Sequence, residues 1–315
     1  MKLEFLDKEI LYLTAYLKDF PVNSVFEEEE AELAECGYLR KSRSGLTYRL
    51  TEKGESIVTQ EFEKDKCPLG RGKMLDRRIE CSKTILTMYR AGIDVFDNYN
   101  PVRFFPAFWL KREKDMILGA SQLIGLLITE TKTFLVYFAE KDLKIDMEIA
   151  AAKRLLPIAD APEDLSVIIM CEEYWYDVES EVAGFPFDVH LIACDDMGAQ
   201  QLKLLCSSDW HEKLLVKVFE NYNQRHHLGG CPCDAIKDGI PKLLTHDMNM
   251  TRILRLYRYA VENNQEIHFI GFDETAEGLL YGEDLVKAFC LNEEFVWKTV
   301  EINPQLYPDG VTDDA

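Results

Sequence analysis

The chain has 315 residues, and its 47% hydrophobic and 11% aromatic content excludes an intrinsically disordered protein. Its 56 acidic and 36 basic residues leave a formal net charge of −20, so nucleic acid and anionic membranes repel the chain unless its basic residues are concentrated in one region. Nine cysteines argue against a disulfide framework, and with neither a signal-type segment nor an apolar run of membrane-spanning length the sequence predicts a cytoplasmic protein that does not enter a membrane.

Two helices are predicted at the start of the chain. In the first, apolar residues recur every three or four positions, and Asp7 is the candidate N-cap. The second includes Glu27 to Glu35, with Asn23 or Ser24 as its candidate N-cap and Gly37 as its C-cap.

A β-hairpin follows, because two short alternating runs, residues 38–41 and 46–50, flank a Ser-Arg-Ser-Gly turn. The motif Leu-Thr-Glu-Lys-Gly then opens a third helix, with Thr51 as its N-cap. Helices, hairpin and this motif together look like a winged-helix domain, which we assign to residues 1–62.

The charges of this domain separate into an acidic helix and a basic hairpin. In winged-helix domains the helix before the hairpin usually enters the major groove, yet the segment from Glu27 to Glu35 contains no lysine or arginine. We therefore interpret this helix as a solvated acidic face, or as a docking surface for a basic protein partner. Contacts with the DNA backbone are expected instead from Arg40, Lys41, Arg43, Arg49 and Lys53. The alternative for these five residues is a hairpin that is solvated and binds nothing.

Residues 63–115 are predicted to form a linker and a connecting helix. The helix covers residues 75–91, and two roles are open for it: a homodimer contact, or packing on the next domain. Residues 93–109 are rich in aromatic rings and are interrupted by prolines, so we expect an irregular segment buried by its rings.

An α/β domain is predicted over residues 116–303, because strand and helix patterns are interspersed. Its first two strands flank the turn Glu130-Thr131-Lys132. Further strands are expected at residues 165–170, 187–194, 266–272 and 295–302, with a hairpin around residues 237–239. Further helices are expected at residues 146–156, 197–205, 214–222, 248–262 and 284–289. Residues 304–315 are predicted to be a mobile polar tail.

Catalytic and metal-binding patterns are weak in this sequence. It has no Walker motif and no Gly-x-Gly-x-x-Gly motif after a strand, which disfavours a nucleotide-dependent enzyme. A zinc site would need four converging ligands, and the densest cluster of suitable side chains is His226, His227, Cys231 and Cys233. We interpret this cluster as a loop that enters a hairpin, with zinc as the alternative.

A metal-dependent nuclease is a further function to weigh, because such enzymes hold a metal with carboxylates near a lysine. Glu130 lies in a predicted turn, which leaves Asp142, Asp146 or Glu148 as candidates. The isolated His190 and His268 are interpreted as packed core histidines. We therefore expect no catalytic residues, no metal and no cofactor.

The order of three segments resembles a known family. They are the hairpin region GYLRKS…YRLTEKG, the strand pair SQLIGLLITETKTFLVYF and the later KDGIPKLLTHDMNMTRILRLYRYA. The pattern resembles the replication-relaxation-like winged-helix proteins of Firmicutes conjugative and mobile elements, most closely at residues 37–54, 122–137 and 240–256. The resemblance implies a non-enzymatic, DNA-associated accessory or regulatory protein. Its winged helix would be joined to a degenerate restriction-endonuclease-like α/β domain that lacks the metal-binding residues.

Overall fold

Three β-sheets with helices packed on their faces form the protein, which is the α/β class predicted from the sequence. The structure is a computed structural model that describes residues 3–17, 20–22, 24–61, 75–96, 100–107, 122–139, 161–172, 187–219, 230–278, 280 and 285–306. Among the helices of these residues, none combines the length and the apolar character needed to cross a membrane.

The N-terminal module, residues 5–61, alternates helices with the strands of a small sheet. Its elements are α1 (Phe5–Leu17), β1 (Phe20–Pro21), α2 (Glu27–Glu35), β2 (Leu39–Lys41), β3 (Thr47–Leu50) and α3 (Glu52–Glu61). The predicted hairpin is confirmed, because β2 and β3 pair antiparallel, and β1 pairs with the other edge of β3. This element order is compatible with a winged helix, and the winged-helix assignment itself stays a prediction.

Two glycines and a threonine fix the ends of the hairpin segment. Gly37 has a φ of 76°, and the N–H of Tyr38 donates to the carbonyl of Leu33 at 2.9 Å, which ends α2 as predicted. Thr51 Oγ1 accepts the N–H of Gly54 at 3.3 Å, so the predicted N-cap of α3 is confirmed. A Cβ atom on Gly54 would lie 2.5 Å from the carbonyl oxygen of Tyr38. The helix α3 therefore packs directly on the backbone of the hairpin.

The first two helices begin differently from the prediction. The helix α1 starts two residues before Asp7, whose carboxylate reaches back to accept the N–H of Glu4 at 2.8 Å. The cap position of α2 is Phe26, whose own N–H donates to Ser24 Oγ at 3.0 Å. Ser24 thus shapes the turn before the helix without capping it, and Asn23 lies outside the described residues.

Five strands form the central sheet, in the order β4-β5-β6-β7-β8. The strands are β4 (Arg103–Pro106), β5 (Gly125–Ile128), β6 (Thr133–Phe138), β7 (Leu165–Cys171) and β8 (Val189–Ala193), with helices α4 (Leu75–Arg90) and α5 (Asp196–Leu205). The strands β4, β5 and β6 pair antiparallel, whereas β6, β7 and β8 run parallel. The predicted helix over residues 146–156 lies outside the described residues.

The two faces of the central sheet belong to different hydrophobic cores. In β7, Ile168 and Met170 pack in one core with α4, α5 and the N-terminal module, whereas Val167 and Ile169 pack in the other. The helix α4 lies between the module and the central sheet, so a single apolar core joins them. Of the two roles left open for this helix, the structure shows packing on the central sheet, and a homodimer contact stays a hypothesis.

A second, four-stranded sheet has the order β9-β10-β11-β12. Its elements are α6 (Trp210–Val218), β9 (Ala235–Lys237), β10 (Ile240–Leu244), α7 (Met250–Asn263), β11 (Ile267–Gly271), α8 (Thr275–Gly278), β12 (Val286–Cys290) and α9 (Glu293–Thr299). The predicted β9–β10 hairpin is confirmed, with Asp238 and Gly239 both at positive φ. The strands β10, β11 and β12 run parallel. The helix α7 fills the core between the two large sheets, and α6 and α9 cover the outer face of the second sheet.

The last two predicted elements are wrong in type. Residues 286–290 form the edge strand β12 and not a helix; within this strand only Val286 is buried, so no alternation marks it in the sequence. A strand was predicted at residues 295–302, whereas residues 293–299 form the helix α9. Asn292 caps this helix, and Val296 packs against α6, so capping and tertiary packing outweigh strand propensity.

Smaller corrections concern burial and boundaries. Residues 103–106 form β4 within the segment that was predicted to be irregular. Val261 of α7, an apolar residue, is 43% exposed. Leu306, in the predicted mobile tail, is buried in the core that joins the module to the central sheet, and residues 307–315 lie outside the described residues.

Candidate nucleic-acid interface and inter-sheet cavity

The five residues predicted to contact DNA lie together on the hairpin and at the start of α3, and all five are exposed. The register pairs Arg40 directly with Arg49 across β2 and β3. The residues next to them, Leu39 and Tyr48, are buried in the core of the module. Because side chains alternate along a strand, both guanidinium groups point away from that core into solvent.

Three of the five residues, Arg40, Arg43 and Arg49, form what we call the arginine cluster. Like charges that face each other across a β-ladder destabilise the sheet. In the part of the chain that the structure describes, no carboxylate forms an ion pair with any member of the cluster. The cluster is therefore a positive region without compensation on a chain whose net charge is −20.

The two lysines of the predicted interface are engaged by aromatic rings. Lys41 Nζ lies 5.7 Å from the ring centroid of Tyr48. Lys53 Nζ lies 3.8 Å from the ring centroid of Tyr38 and donates to the carbonyl oxygen of Cys36 at 2.9 Å. A cation at this carbonyl compensates the negative end of the α2 dipole, so Lys53 stabilises the junction between α2 and the hairpin.

The helix α2 lies beside the hairpin and carries the opposite charge. Four of its glutamates are exposed to solvent: Glu27, Glu28, Glu32 and Glu35. A fifth, Glu29, lies 3.9 Å from the guanidinium of Arg90 in α4. An acidic surface of this kind repels phosphate groups, so α2 does not suit the major groove.

The remaining glutamate of α2, Glu30, is buried, with only 1% of its surface exposed. The hydroxyl of Ser24 donates to the Oε1 of Glu30, and no described residue forms a hydrogen bond with its Oε2. Burial raises the pKa of Glu30 to about 8. The hydrogen bond from Ser24 lowers this pKa, whereas the negative charges of Glu27 and Glu29 raise it further. Glu30 is therefore protonated at neutral pH and sits uncharged beneath the acidic surface.

The nuclease candidates gain no support from the described strands. Glu130 and Lys132 lie in the β5–β6 turn as predicted, where the N–H of Thr129 donates to the carbonyl of Lys132 at 2.9 Å. The described strands β5 and β6 contain no carboxylate. The carboxylates named above at positions 142, 146 and 148 lie outside the described residues.

The zinc candidate is only partly covered, because positions 226 and 227 lie outside the described residues. Cys231 and Cys233 are free thiols that hydrogen-bond to each other. Burial raises the pKa of Cys233 to about 12, so this thiol stays protonated and is a poor metal ligand as it stands. Within the described ranges, no group of three potential metal ligands comes together.

A cavity of about 530 Å³ lies where the edge of the central sheet meets the second sheet. Phe134 and His190 of the central sheet form one wall. Trp210 and His211 of α6 form another, and Asn249 and Arg252 close it at the start of α7. The N–H of Leu191 donates to the carbonyl of Met248 at 3.0 Å, which joins β8 to the segment that precedes α7.

A buried ion-pair network forms the floor of this cavity. Asp234 Oδ1 contacts the Arg252 guanidinium and lies 3.1 Å from His211 Nε2, and its Oδ2 accepts the N–H of Leu244 at 2.8 Å. Burial alone would raise the pKa of Asp234, but the bond to His211 and the charge of Arg252 outweigh burial and lower it. Asp234 is therefore an ionised carboxylate whose charge is already compensated.

Two histidines near the cavity have unpaired ring nitrogens. His190 Nδ1 lies 3.0 Å from the carbonyl oxygen of Asp247 and must donate to it, whereas its Nε2 has no hydrogen-bond partner among the described residues. His246 is fully buried, and within the described part of the chain neither of its ring nitrogens has a hydrogen-bond partner. Burial lowers the pKa of His190. The pKa of His246 is lowered to about 3, mainly by burial and to a smaller extent by the charge of His211. Both rings are neutral at physiological pH.

His190 and His268 were both predicted to be packed core histidines, and their surroundings differ. His268 Nδ1 lies 3.1 Å from Lys242 Nζ and its Nε2 lies 2.8 Å from Glu266 Oε1, so both nitrogens are paired. His190 is 2% exposed, which fits a core position, but it also lines the cavity. The position of His190 at a cavity was not predicted from the sequence.

Three further residues of the cavity were not predicted from the sequence as site residues: Asp234, Asp247 and Arg252. One signal was present: the polar segment at residues 245–249 directly follows β10, and sites in α/β sheets lie beyond the C-terminal ends of parallel strands. Comparisons with protein-family models, curated proteins and solved structures found no match to this chain. Its candidate sites are therefore defined by geometry and charge alone.

Proposed function

We propose that the protein is a non-enzymatic, DNA-associated accessory or regulatory protein of a mobile element that acts in the cytoplasm and contacts the DNA backbone through the arginine cluster. The observation that carries this proposal is the cross-strand pair of Arg40 and Arg49, which is exposed and has no carboxylate partner among the described residues. The resemblance in segment order supports the mobile-element context.

Arginine is suited to this role because its planar guanidinium can donate two parallel hydrogen bonds to a phosphate. A phosphate placed between Arg40 and Arg49 would remove the repulsion that their register imposes. Contacts of this kind position a protein on DNA without reading its sequence. The acidic α2 beside the hairpin opposes deep entry into a groove, so the binding mode is led by the backbone and is sensitive to salt.

Charge reversal of the arginine cluster tests the proposal. Fluorescence anisotropy with a labelled duplex at low and moderate salt would compare the wild type with Arg40→Glu/Arg43→Glu/Arg49→Glu. We expect the variant to bind at least about tenfold more weakly, because three phosphate contacts are replaced by repulsion. The matched control is Lys217→Glu/Lys237→Glu/Lys298→Glu, which changes the net charge equally on exposed positions far from the hairpin in sequence. If wild type fails to bind, or if both triple variants behave alike, the proposal fails.

A second candidate function is supported by the exposed face of α2. Glu28, Glu32 and Glu35 are spaced so that they share one side of the helix, and like charges at this spacing destabilise it. Such a face fits a basic protein partner. The variant Glu28→Lys/Glu32→Lys/Glu35→Lys separates the two functions. The DNA proposal predicts tighter duplex binding by this variant, whereas the partner hypothesis predicts loss of a partner that the wild type captures.

A further inference from the structure

Two helices begin at the wall of the inter-sheet cavity. The first two residues of α6, Trp210 and His211, line it, and so does Asn249, the N-cap of α7. The N-terminal ends of helices carry unsatisfied N–H groups and partial positive charge. Two such ends at one cavity provide a setting for an anion.

The two helix ends differ in how their N–H groups are satisfied. Asn249 caps α7, because its side chain accepts the N–H of Arg252 at 3.2 Å, and α7 has no acidic residue in its first turn. Asp209 stands at the cap position of α6 with a φ of 57°, and its side chain makes no capping hydrogen bond. The first turn of α6, which also contains Glu212, therefore receives no capping hydrogen bond from Asp209.

Three cations and three carboxylates line the cavity, and among the described residues one of the cations forms no ion pair. Arg252 is committed to Asp234, and Lys132 Nζ lies 3.9 Å from Asp188 Oδ2. Arg255, one turn further along α7, is exposed and also lines the cavity. Among the described residues it has no ion-pair partner. Its guanidinium is thus available to a ligand.

His190 provides a second and independent sign of a ligand. Its ring is 2% exposed, it lines the cavity, and its Nε2 has no hydrogen-bond partner among the residues that the structure describes. Because Nδ1 donates to the carbonyl of Asp247, Nε2 of the neutral ring is an acceptor. A buried acceptor without a donor costs free energy, which a ligand hydroxyl would recover.

We propose that the inter-sheet cavity binds a phosphorylated small molecule, with its phosphate held by Arg255 and the start of α6 and its organic part against Phe134 and Trp210. A volume of about 530 Å³ lies within the range of small-molecule sites. A hydroxyl on the organic part donates to His190 Nε2. This site is separate from the arginine cluster, so neither proposal depends on the other.

Isothermal titration calorimetry on the full chain tests this assignment, with AMP and inorganic pyrophosphate as probes and adenosine as the control without phosphate. The wild type is expected to bind at least one phosphate probe with a Kd below about 1 mM and to bind adenosine more weakly. Arg255→Ala is expected to weaken the phosphate probe by about tenfold or more, because it removes a charged hydrogen bond. Arg255→Lys should retain part of the affinity.

The matched control is Arg258→Ala, an exposed arginine of the same helix that is not among the residues lining the cavity, and its affinity should equal that of the wild type. Circular dichroism spectra of each variant would be compared with the wild-type spectrum to check that the variant is folded. The assignment is overturned if neither phosphate probe binds, if adenosine binds as tightly as AMP, or if Arg255→Ala leaves the affinity unchanged.

Discussion

Replacing Glu30 by glutamine should make the folded protein less sensitive to alkaline pH. Glu30 is 1% exposed on α2, and the pKa of its carboxyl is raised to about 8 by burial. The folded state therefore holds a proton that the unfolded chain releases near pH 4.5, the ordinary pKa of glutamate. Stability from this site is fully present below pH 4.5 and is lost as the pH rises towards 8. Glutamine resembles the protonated carboxyl and does not titrate.

The pKa difference sets the size of the effect. Each unit of pKa difference corresponds to about 1.4 kcal/mol, so the wild type should lose up to about 4 kcal/mol of unfolding free energy between pH 5 and pH 9 through this site. Local relaxation or entry of water makes this an upper limit. The stability difference between Glu30→Gln and wild type should therefore grow with pH in favour of the variant.

Urea denaturation at pH 5, 7 and 9, followed by circular dichroism, measures this difference. Glu35→Gln is the matched control, because it makes the same chemical change at an exposed position of the same helix. Its stability relative to wild type should be nearly independent of pH. A stability difference for Glu30→Gln that stays constant within about 0.5 kcal/mol from pH 5 to pH 9 would refute the buried, protonated carboxyl.

Three further predictions follow from single contacts. The ring nitrogens of His246 have no hydrogen-bond partner among the described residues, and its pKa is lowered to about 3, so the wild type should lose stability as the pH falls from 6.5 towards 3. In urea titrations, His246→Leu should lose up to about 4 kcal/mol less unfolding free energy than the wild type over that range. Gly54→Ala should destabilise the chain by about 1–3 kcal/mol in the same assay, because its Cβ would clash with a carbonyl oxygen at 2.5 Å, whereas Gly278→Ala, with no atom within 4 Å, should not. Lys53→Ala should cost about 1 kcal/mol of stability through its lost ring and carbonyl contacts, yet weaken DNA binding less than Arg49→Ala does.

Local signals account for the elements that the sequence predicted well. The turn glycine at position 45 has a φ of 75°, and the glycine that ends α2 has a φ of 76°, so residue type and backbone conformation agree at both ends of β2. The same holds for the β9–β10 turn, where Gly239 has a φ of 77°. Hairpins and caps depend on a few adjacent residues, and those residues are visible in one sequence.

Elements that depend on distant contacts were harder to predict. The helix α9 contains Phe295, Val296 and Trp297, a run that favours a strand, and its burial against α6 decides the outcome. The cavity joins His190 to Asp247, which are 57 positions apart, through pairing between β8 and the start of α7. No pattern within either segment shows that they meet.

The burial of Glu30 could not be predicted from the sequence, because it also depends on distant contacts. It stands in a run of glutamates that reads as a uniformly solvated helix face, and only the packing of α2 on the module turns one of them inward. Charge composition predicted the acidic surface and the basic hairpin, because both are exposed. It could not show which acidic residue is neutral.

The salt dependence of duplex binding tests the central claim most directly. If the three members of the arginine cluster each neutralise one phosphate, log K should fall against log salt with a slope of about −2.7, and Arg49→Ala should reduce that slope by about 0.9. Lys217→Ala, which removes an exposed cation on α6, should leave the slope unchanged. A slope near zero for the wild type, or an equal slope for wild type and Arg49→Ala, would contradict binding of the DNA backbone by the hairpin.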